Sequence, residues 1–437
     1  MNKHFNIDKQ SVDELKLMGK FRQDSVYHLF NNVKTREGEK LLDKLFRNPL
    51  TDAERINERS GIFHFFEKIN TVFPFDAGQV LMMREYVDSA TSGNRFYLAA
   101  GIVVKRFLSA LLGDEHYKKT IQGLQATISI LKKCRDFAEK IDSCDSPYSA
   151  RIKSVKEALS DKQVMALADT DIYRSLTLTS VAESNYLVRN KFNTQLRDIL
   201  SFIAEVDVNI AVSDVSRAKG FIYASALPET SNILQAEGLW HPSLEKAVGN
   251  DINMNNASNV VFLTGANMAG KSTWMKSVAI GGYLAHTGFP VPAKSMRFSV
   301  REGIFSSINV ADNIGLGYSH FYAEVVRVKE AAKAASTGKH LLLIFDELFK
   351  GTNVKDAYDG TLVVTEGFAD YTNCLFIVST HIIEVGEALK GHDNIQFKYM
   401  PTIMENITPR YTYKLQDGIT RDRQGMIIIR NEGILEI

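Results

Sequence analysis

The fold is decided by the stretch Asn259-Val-Val-Phe-Leu-Thr264-Gly265-Ala-Asn-Met-Ala-Gly270-Lys271-Ser272. It begins with a continuous apolar run, continues in a loop with a glycine at each end, and leads into a predicted helix. The loop fits the pattern G-x-x-x-x-G-K-[ST], in which backbone N–H groups surround phosphates because glycine has no Cβ to obstruct them. We therefore predict a strand, a phosphate-binding loop and a helix, which together indicate a nucleotide-binding α/β domain.

Lys271 and Ser272 provide the charge and the hydroxyl that phosphate chemistry needs at the end of this loop. Lys271 places a positive charge beside the β- and γ-phosphates, and Ser272 supplies a hydroxyl ligand to Mg²⁺. The N-terminus of the following helix adds its positive end. A plain glycine turn is the alternative, and the position between a strand and a helix disfavours it. The candidate nucleotide-binding residues are Gly265, Ala266, Asn267, Met268, Ala269, Gly270, Lys271, Ser272 and Thr273.

Two further strand ends carry groups that a phosphoryl-transfer site requires. One apolar run ends in Asp346-Glu347, and a later one ends in Ser379-Thr380-His381. Asp346 suits a magnesium ion, Glu347 suits the attacking water, and His381 suits contact with the γ-phosphate. The alternatives are an acidic pair at an ordinary strand end and a surface histidine. Because open α/β sheets bind ligands at the carboxyl ends of their strands, we predict that these groups lie near the loop.

The pattern of apolar residues changes near residue 230, which indicates two kinds of structure. Residues from about 10 to 237 look helical throughout. The amphipathic stretches cover about 76–92, 97–112, 114–142, 147–167 and 181–217. Farther along, apolar strands alternate with helices, as in a parallel sheet covered on both faces, and period-2 alternation over 410–419 predicts an antiparallel edge. We predict a multidomain protein, all-α over 1–229 and an α/β P-loop NTPase domain over 230–437.

Composition excludes several classes of protein. The 437 residues include 52 Lys and Arg against 51 Asp and Glu, so the formal net charge of +1 excludes a strongly basic nucleic-acid coat. The three cysteines form no C-x-x-C pair, which disfavours a zinc site and a disulfide framework. The most apolar stretch, Tyr97–Leu112, carries Lys105 and Arg106 and is too charged to span a bilayer. We expect a cytoplasmic protein, associated with the nucleoid if the source is bacterial.

Several blocks of the sequence resemble the MutS family of DNA mismatch-repair ATPases. Between about 240 and 431 they are, in family order, Thr264-Gly-Ala-Asn-Met-Ala-Gly-Lys-Ser-Thr-Trp-Met, Gly288-Phe-Pro-Val-Pro-Ala293, Asp312-Asn-Ile-Gly-Leu-Gly-Tyr-Ser-His-Phe-Tyr-Ala-Glu324, Asp346-Glu-Leu-Phe-Lys-Gly-Thr-Asn353, Ser379-Thr-His381 and Gln416-Asp-Gly418. The blocks 34–42, 47–59 and 203–214 resemble, less strongly, the core or lever domain. The resemblance implies a helical lever over 1–229 and an ABC-type ATPase domain over 230–437.

The resemblance also implies ATP and Mg²⁺ as cofactors and a role for single positions. Asn267 would help to place the γ-phosphate or the water, and Ser319 would be the signature residue that reaches the nucleotide of a second subunit. Ile252 stands where the family often has an aromatic ring against the adenine. The implied catalytic residues are Glu347, Lys271, His381 and Asn267, and the implied metal ligands are Ser272 and Asp346. A homodimer is expected in the ATP state.

The sequence also departs from the family pattern. It starts where the lever starts, so we expect no mismatch-binding or connector domain, little room for a DNA clamp, and no complete C-terminal dimer element. The triplets Phe65-Phe-Glu67 and Phe137-Ala-Glu139 have the spacing of the family's Phe-x-Glu mismatch wedge. Both lie in predicted helices, so a core phenylalanine beside a surface glutamate is the better interpretation.

Two functions remain open from the sequence. The first is an ATPase that couples its nucleotide state to DNA binding in mismatch repair or recombination, with other proteins of those processes as further partners and no preference for mismatches. The second is an ATP-driven switch that acts on a protein partner and binds no DNA. Two basic clusters, at 132–135 and 151–156, either contact DNA phosphates or form solvated helix faces. A transporter subunit is disfavoured because a lever-like sequence precedes the ATPase.

Overall fold

The computed structural model describes residues 4–20, 22–89, 116–142, 146–169, 178–266, 268–308, 320–405 and 408–420. The chain divides into two compact units. One unit consists of Met1–Phe30, Phe46–Ser60 and Val215–Ile437, and the other of Asn31–Leu45 and Gly61–Asp214. Each unit is thus assembled from separate segments of the chain. The domain boundary at 229/230, which rests on the change in apolar pattern, stays a prediction. The predicted helix over 97–112, Asn267 and Ser319 lie outside the described residues.

The elements are numbered here in chain order. The helices are α1 Lys9–Glu14, α2 Val26–Phe30, α3 Arg36–Arg47, α4 Ala53–Ile69, α5 Ala77–Asp88, α6 His116–Ile141, α7 Ser149–Leu159, α8 Lys162–Ala168, α9 Leu178–Tyr186, α10 Asn193–Lys219, α11 Lys271–Thr287, α12 His320–Ala335, α13 Val354–Ala369 and α14 Ile383–Ala388. The strands are β1 Ser225–Leu227, β2 Leu234–Leu239, β3 Asn250–Met254, β4 Val260–Gly265, β5 Ser295–Ser299, β6 Gly303–Ser307, β7 Leu341–Asp346, β8 Leu375–Ser379, β9 Ile395–Met400, β10 Thr402–Glu405, β11 Thr408–Tyr411 and β12 Gln416–Asp417.

In the unit made of 31–45 and 61–214, the regular elements that the structure describes are all helices. Its core joins aromatic rings of several helices in a continuous series, Phe66, Tyr148, Phe202, Phe137 and Phe75. The helix predicted over 147–167 is instead two helices, because the Asp161 carboxylate accepts from Gln163 N–H at 2.8 Å and caps a new start. None of the helices in the described ranges is long and apolar enough to cross a membrane.

Asp207 organises the start of α3 from the long helix α10. Its carboxylate accepts hydrogen bonds from the backbone N–H groups of Lys34 (2.9 Å) and Thr35 (2.7 Å) and from the Thr35 hydroxyl (2.6 Å). Burial raises the pKa of Asp207 despite these donors. A Cβ at Gly38 would lie 2.4 Å from the carboxylate, so only glycine lets α3 come this close. This carboxylate therefore satisfies helix-start donors that would otherwise be buried without partners.

The unit made of 1–30, 46–60 and 215–437 is built on a six-stranded sheet of order β12-β9-β4-β8-β7-β6. The strands from β9 to β6 pair in parallel, and β12 pairs with β9 antiparallel. Every residue of β4 and β8 is buried, which agrees with their continuous apolar sequences. The predicted parallel sheet and its antiparallel edge are therefore confirmed. The edge strand is β12, and β10 and β11 form a separate antiparallel pair.

The prediction of helix throughout 10–237 is wrong at its end. Residues 225–227 and 234–239 form β1 and β2, which belong to a second sheet of order β1-β5-β2-β3. β1 has three residues, too few to display a period, and it forms by pairing in parallel with β5, some seventy residues later. Long-range pairing, rather than local pattern, therefore determines the structure of this segment.

The first residues of the chain cover β6, the edge strand opposite β12. Asn6 exchanges backbone hydrogen bonds with Glu302 (2.7 Å) and Ile304 (3.0 Å). The Glu14 carboxylate accepts from the Ser306 hydroxyl (2.9 Å) and from Ile308 N–H (3.0 Å). Edge strands with unpaired backbone groups favour unwanted association, and this segment occupies those groups on β6.

His286 is a buried ring on α11 whose two nitrogens need different protonation. Nδ1 lies 2.7 Å from the carbonyl oxygen of Gly282, so it carries the proton and donates it. Nε2 accepts the backbone N–H of Arg301 at 2.8 Å, which requires an unprotonated nitrogen. Burial lowers the pKa of His286 to about 4. The folded protein thus holds this imidazole neutral.

We expect the free energy of unfolding to decrease as the pH falls from about 6.5 to about 4. Over this window the unfolded chain binds a proton on His286 and the folded chain does not, so this ring's stabilisation is complete above pH 6.5 and is lost toward pH 4. The loss amounts to about 3 kcal/mol. Burial also lowers the pKa of His241 to about 4, which adds a change of the same sign.

Urea unfolding at pH 7.5 and pH 4.5 measures this dependence. The variant His286→Gln, which has no titrating ring, should be less stable at pH 7.5 and should show a smaller change between the two pH values. A variant that keeps the whole wild-type change would contradict the assignment to His286.

Candidate nucleotide site

The glycine-rich loop connects β4 to α11 and has backbone conformations that favour glycine. Gly265 has φ of 141° and Gly270 has φ of 104°. A Cβ at Gly265 would lie 3.2 Å from the carbonyl oxygen of Met400, and one at Gly270 would lie 3.0 Å from the Tyr413 ring. Met268 has φ of 74°, an uncommon conformation for a residue with a side chain, and is 77% exposed. The predicted strand–loop–helix arrangement is therefore present.

Lys271 is buried at the first position of α11. Its Nζ donates to the carbonyl oxygens of Gly265 (2.8 Å) and Ala266 (3.2 Å). Burial lowers the pKa of Lys271, and the charges of Asp346 and Glu347 oppose this effect. The loop thus surrounds a desolvated ammonium group, to which an anionic ligand would supply counter-charge.

Asp346 lies where β7 ends and accepts hydrogen bonds at both carboxylate oxygens. The Ser272 hydroxyl donates to Oδ2, and the Ser379 hydroxyl donates to Oδ1. Glu347 follows with φ of 53°, and its N–H donates to the carbonyl oxygen of Ser379 at 3.0 Å. Because β7 and β8 are paired neighbours, residues from two separate strand ends meet beside the loop.

The donor set fits Mg²⁺. The Ser272 hydroxyl and the Asp346 carboxylate are hard oxygen donors in direct contact, which places them within reach of one ion. The described ranges contain no group of three or more His, Cys, Asp or Glu side chains that could hold a metal by themselves. Magnesium in nucleotide sites is usually held by one or two protein groups together with phosphates and water, so a small set is what it requires.

A pocket of about 480 Å³ opens beside the loop. Its lining consists of Leu239, His241, Leu244, Lys246, Ala247, Val248, Asn250, Ala266, Met268, Gly270, Lys271, Ser272, Thr273, Trp274, Ser277, Glu347, Met400 and Tyr413. The lining combines polar groups such as Lys271, Ser272 and Glu347 with apolar side chains such as Leu244 and Val248. This combination suits a ligand with a phosphate end and an aromatic base.

Not every predicted site residue lines this pocket. Ile252 is buried within β3, and the lining nearby comes instead from Ala247, Val248 and Asn250. His381 is exposed and follows Thr380, whose N–H donates to Leu263 O at 3.2 Å. Three further predicted residues also lie outside the pocket lining, namely Gly265, Ala269 and Asp346. The roles of Asn267 and Ser319, like that of His381, stay predictions.

Sequence reasoning missed residues that reach the pocket from distant parts of the chain. Asn250 donates to the carbonyl oxygen of Tyr413 (2.9 Å) and accepts from Leu415 N–H (2.8 Å), so it holds the segment after β11 against the pocket. Tyr413 itself has φ of 55° and is 46% exposed. No local motif marks Tyr413 or Asn250, because the contact joins positions more than 160 residues apart.

Three of the six basic side chains in the two clusters pair with acids. The Arg151 guanidinium donates to Asp198 and Glu205 at 2.9 Å each. Arg135 pairs with Asp169 at 3.0 Å, and Lys156 pairs with Asp142 at 2.6 Å. Contact with DNA phosphates through these three side chains would compete with their present partners. This favours the solvated-face interpretation for these three side chains.

Neither Phe-x-Glu triplet presents a free aromatic ring. Phe137 is buried in the helical core beside Phe75 and Phe202. Phe65 is half-buried and packs against the same core, with its ring 5.6 Å from that of Phe66. A wedge residue must project from the protein surface to enter a base stack. Both rings are packed against the core instead, so the core interpretation fits them better.

Comparison with known proteins adds independent information on the C-terminal region. Residues 261–436 match the family model of MutS domain V. The DNA mismatch repair protein MutS of Lactococcus lactis subsp. cremoris is 28% identical over 246 residues, which are 55% of this chain and 29% of the relative. The MutS of Geobacillus thermodenitrificans is 28% identical over 246 residues, 55% of this chain and 27% of the relative.

The identity is higher over a shorter range in another relative. The DNA mismatch repair protein MutS of Brevibacillus brevis is 34% identical over 211 residues, which are 46% of this chain and 24% of the relative. In all three comparisons the chain covers less than a third of the relative's length. The family-model match over 261–436 includes the loop and both carboxylates, and each alignment with a relative concerns only part of that relative.

Proposed function

We propose that this chain, which belongs to the MutS family, binds and hydrolyses ATP and couples its nucleotide state to DNA binding through closure of a homodimer. The observation that carries the proposal is that the carboxyl ends of β4, β7 and β8 meet beside one pocket, which Lys271, Ser272 and Glu347 line, with Asp346 hydrogen-bonded to Ser272. Further support comes from the match to MutS domain V. The DNA part rests on the names of the relatives, which are DNA mismatch repair proteins.

In this proposal each group at the pocket has one task. The buried Lys271 ammonium binds the β- and γ-phosphates, whose charge compensates its desolvation. Ser272 and Asp346 would hold Mg²⁺, which would supply positive charge beside the phosphates. Glu347 accepts a proton from the attacking water and orients it. His381 contacts the γ-phosphate, and Asn267 helps to position it.

The proposed dimer places Ser319 of each subunit at the nucleotide of the other. Residues 1–229 would then act as a helical lever and residues 230–437 as an ABC-type ATPase domain. Binding of ATP closes the dimer because the site is complete only when both subunits contribute. DNA would be enclosed through its phosphates, without preference for a mismatch. The packed positions of Phe65 and Phe137 support this absence of preference.

We expect the affinity for duplex DNA to depend on the nucleotide state and on salt, and to differ little between mismatched and matched duplexes. The measurement is competition between a G·T duplex and its matched homoduplex, at two salt concentrations, with Glu347→Gln protein held in ATP and wild type in ADP. Affinity should fall with salt, and the two duplexes should differ by less than about tenfold, or 1.4 kcal/mol. Light scattering of the same samples should show one chain in ADP and two in ATP.

Two results would change the proposal. A tenfold or greater preference for the mismatch would mean that this chain contains a mismatch reader. Failure to bind either duplex and a four-way junction in both states would favour an ATP-driven switch that acts on a protein partner.

A further inference from the structure

Ser379 occupies a position that connects both acidic residues of the candidate site. It is the last residue of β8, is fully buried, and pairs in register with Asp346 of β7. Its hydroxyl donates to Asp346 Oδ1, and its carbonyl oxygen accepts from Glu347 N–H at 3.0 Å. It does not line the pocket. Its hydroxyl and its carbonyl oxygen therefore contact the two acidic residues of the candidate site.

The two hydrogen bonds to Asp346 divide its oxygens between two neighbours. Oδ1 faces Ser379 in the protein interior, and Oδ2 faces Ser272 at the start of α11. A carboxylate can rotate about its Cβ–Cγ bond, and a donor fixed on one oxygen restricts that rotation. The donor on Oδ1 thereby leaves Oδ2 directed toward the Ser272 hydroxyl.

We propose that Ser379 is a positioning residue, which orients Asp346 so that Oδ2 and the Ser272 hydroxyl can hold a divalent cation together. The inference rests on the proposed function, because it concerns the same cation site. Groups that hydrogen-bond to metal ligands usually change metal affinity by about 10–100-fold when they are removed. Ser379 should therefore control affinity for the cation and leave contact with the nucleotide itself unchanged.

Binding of Mn²⁺ as a probe for Mg²⁺, in the presence of ADP, tests this inference without turnover. The free ion is measured by electron paramagnetic resonance, and ADP affinity is measured separately in EDTA. We expect Ser379→Ala to weaken Mn²⁺ binding by about tenfold or more, with metal-free ADP affinity unchanged. Ser379→Cys, which is slightly larger than serine and carries only a weak donor, should weaken Mn²⁺ binding similarly. Ser379→Thr, which keeps the hydroxyl, should retain most of the wild-type affinity.

The outcomes separate this inference from the proposed function. Wild-type Mn²⁺ affinity in both the alanine and the cysteine variant would overturn the positioning role. A parallel loss of metal-free ADP affinity would also overturn it, since it would indicate a general disturbance of the loop. If the wild-type protein binds ADP but no Mn²⁺ with it, the cation site is wrong. If it binds no nucleotide, the proposed function itself fails.

Discussion

Replacing Glu347 with glutamine should preserve nucleotide binding and lower ATP turnover by roughly 10²–10⁴-fold. Glutamine keeps the size of the side chain but cannot accept the proton of the attacking water. The backbone should be unaffected, because Glu347 is held at φ of 53° through its N–H bond to Ser379, which the substitution retains. The loss should therefore appear in kcat, with little change in affinity.

Steady-state phosphate release and a nucleotide titration together measure the two quantities. The matched control is Glu384→Gln, the same chemical change at an exposed position at the start of α14. The control should hydrolyse ATP like the wild type. Turnover by Glu347→Gln at the wild-type rate would remove this residue from the mechanism.

Replacing Lys271 with methionine should reduce nucleotide affinity on the order of 100-fold, and hydrolysis with it. Methionine retains the apolar stem of the buried side chain but removes the positive charge. Charge-assisted hydrogen bonds are each worth about 1.5–3 kcal/mol, and a loss of about 3 kcal/mol corresponds to roughly 100-fold. The substitution also removes the donors to Gly265 and Ala266, so the loop loses contacts in the free protein.

Intrinsic fluorescence offers a direct titration, since the chain has 2 tryptophans and Trp274 lines the pocket. Lys355→Met serves as the control, because Lys355 is exposed on α13 outside the pocket lining. It should bind ADP and ATP like the wild type. An affinity of Lys271→Met within about threefold of the wild-type value would show that phosphate binding does not depend on this ammonium group.

The two substitutions act at different stages, which makes their combination informative. Loss of affinity in Lys271→Met reports on the phosphate-binding loop, whereas loss of turnover in Glu347→Gln reports on the water. Only the latter variant should accumulate in the ATP state. It is therefore the appropriate form for the dimer and DNA measurements proposed above.

The parts of the site whose chemistry is local could be predicted from the amino-acid order. The loop from Gly265 to Ser272 combines glycine conformations, a cation and a hydroxyl within eight residues, so one short pattern contains the phosphate-binding structure. The strands β4, β7 and β8 were also predictable, because strands buried on both faces are continuously apolar. Their polar ends identified Asp346, Glu347 and Ser379-Thr380-His381 as candidates.

Which residues come into contact depends on how the strands pair in the folded protein. The parallel register of β7 and β8 brings Ser379 to Asp346, and the segment after β11 brings Tyr413 to the loop at Gly270. The same long-range pairing made strands of 225–227 and 234–239, where a helix was predicted, and buried Ile252 away from the pocket. Contacts between residues distant in sequence depend on strand order and register, which leave no local periodic signal. For this reason the chemistry of the loop could be predicted from the sequence, and the shape of the pocket around it could not.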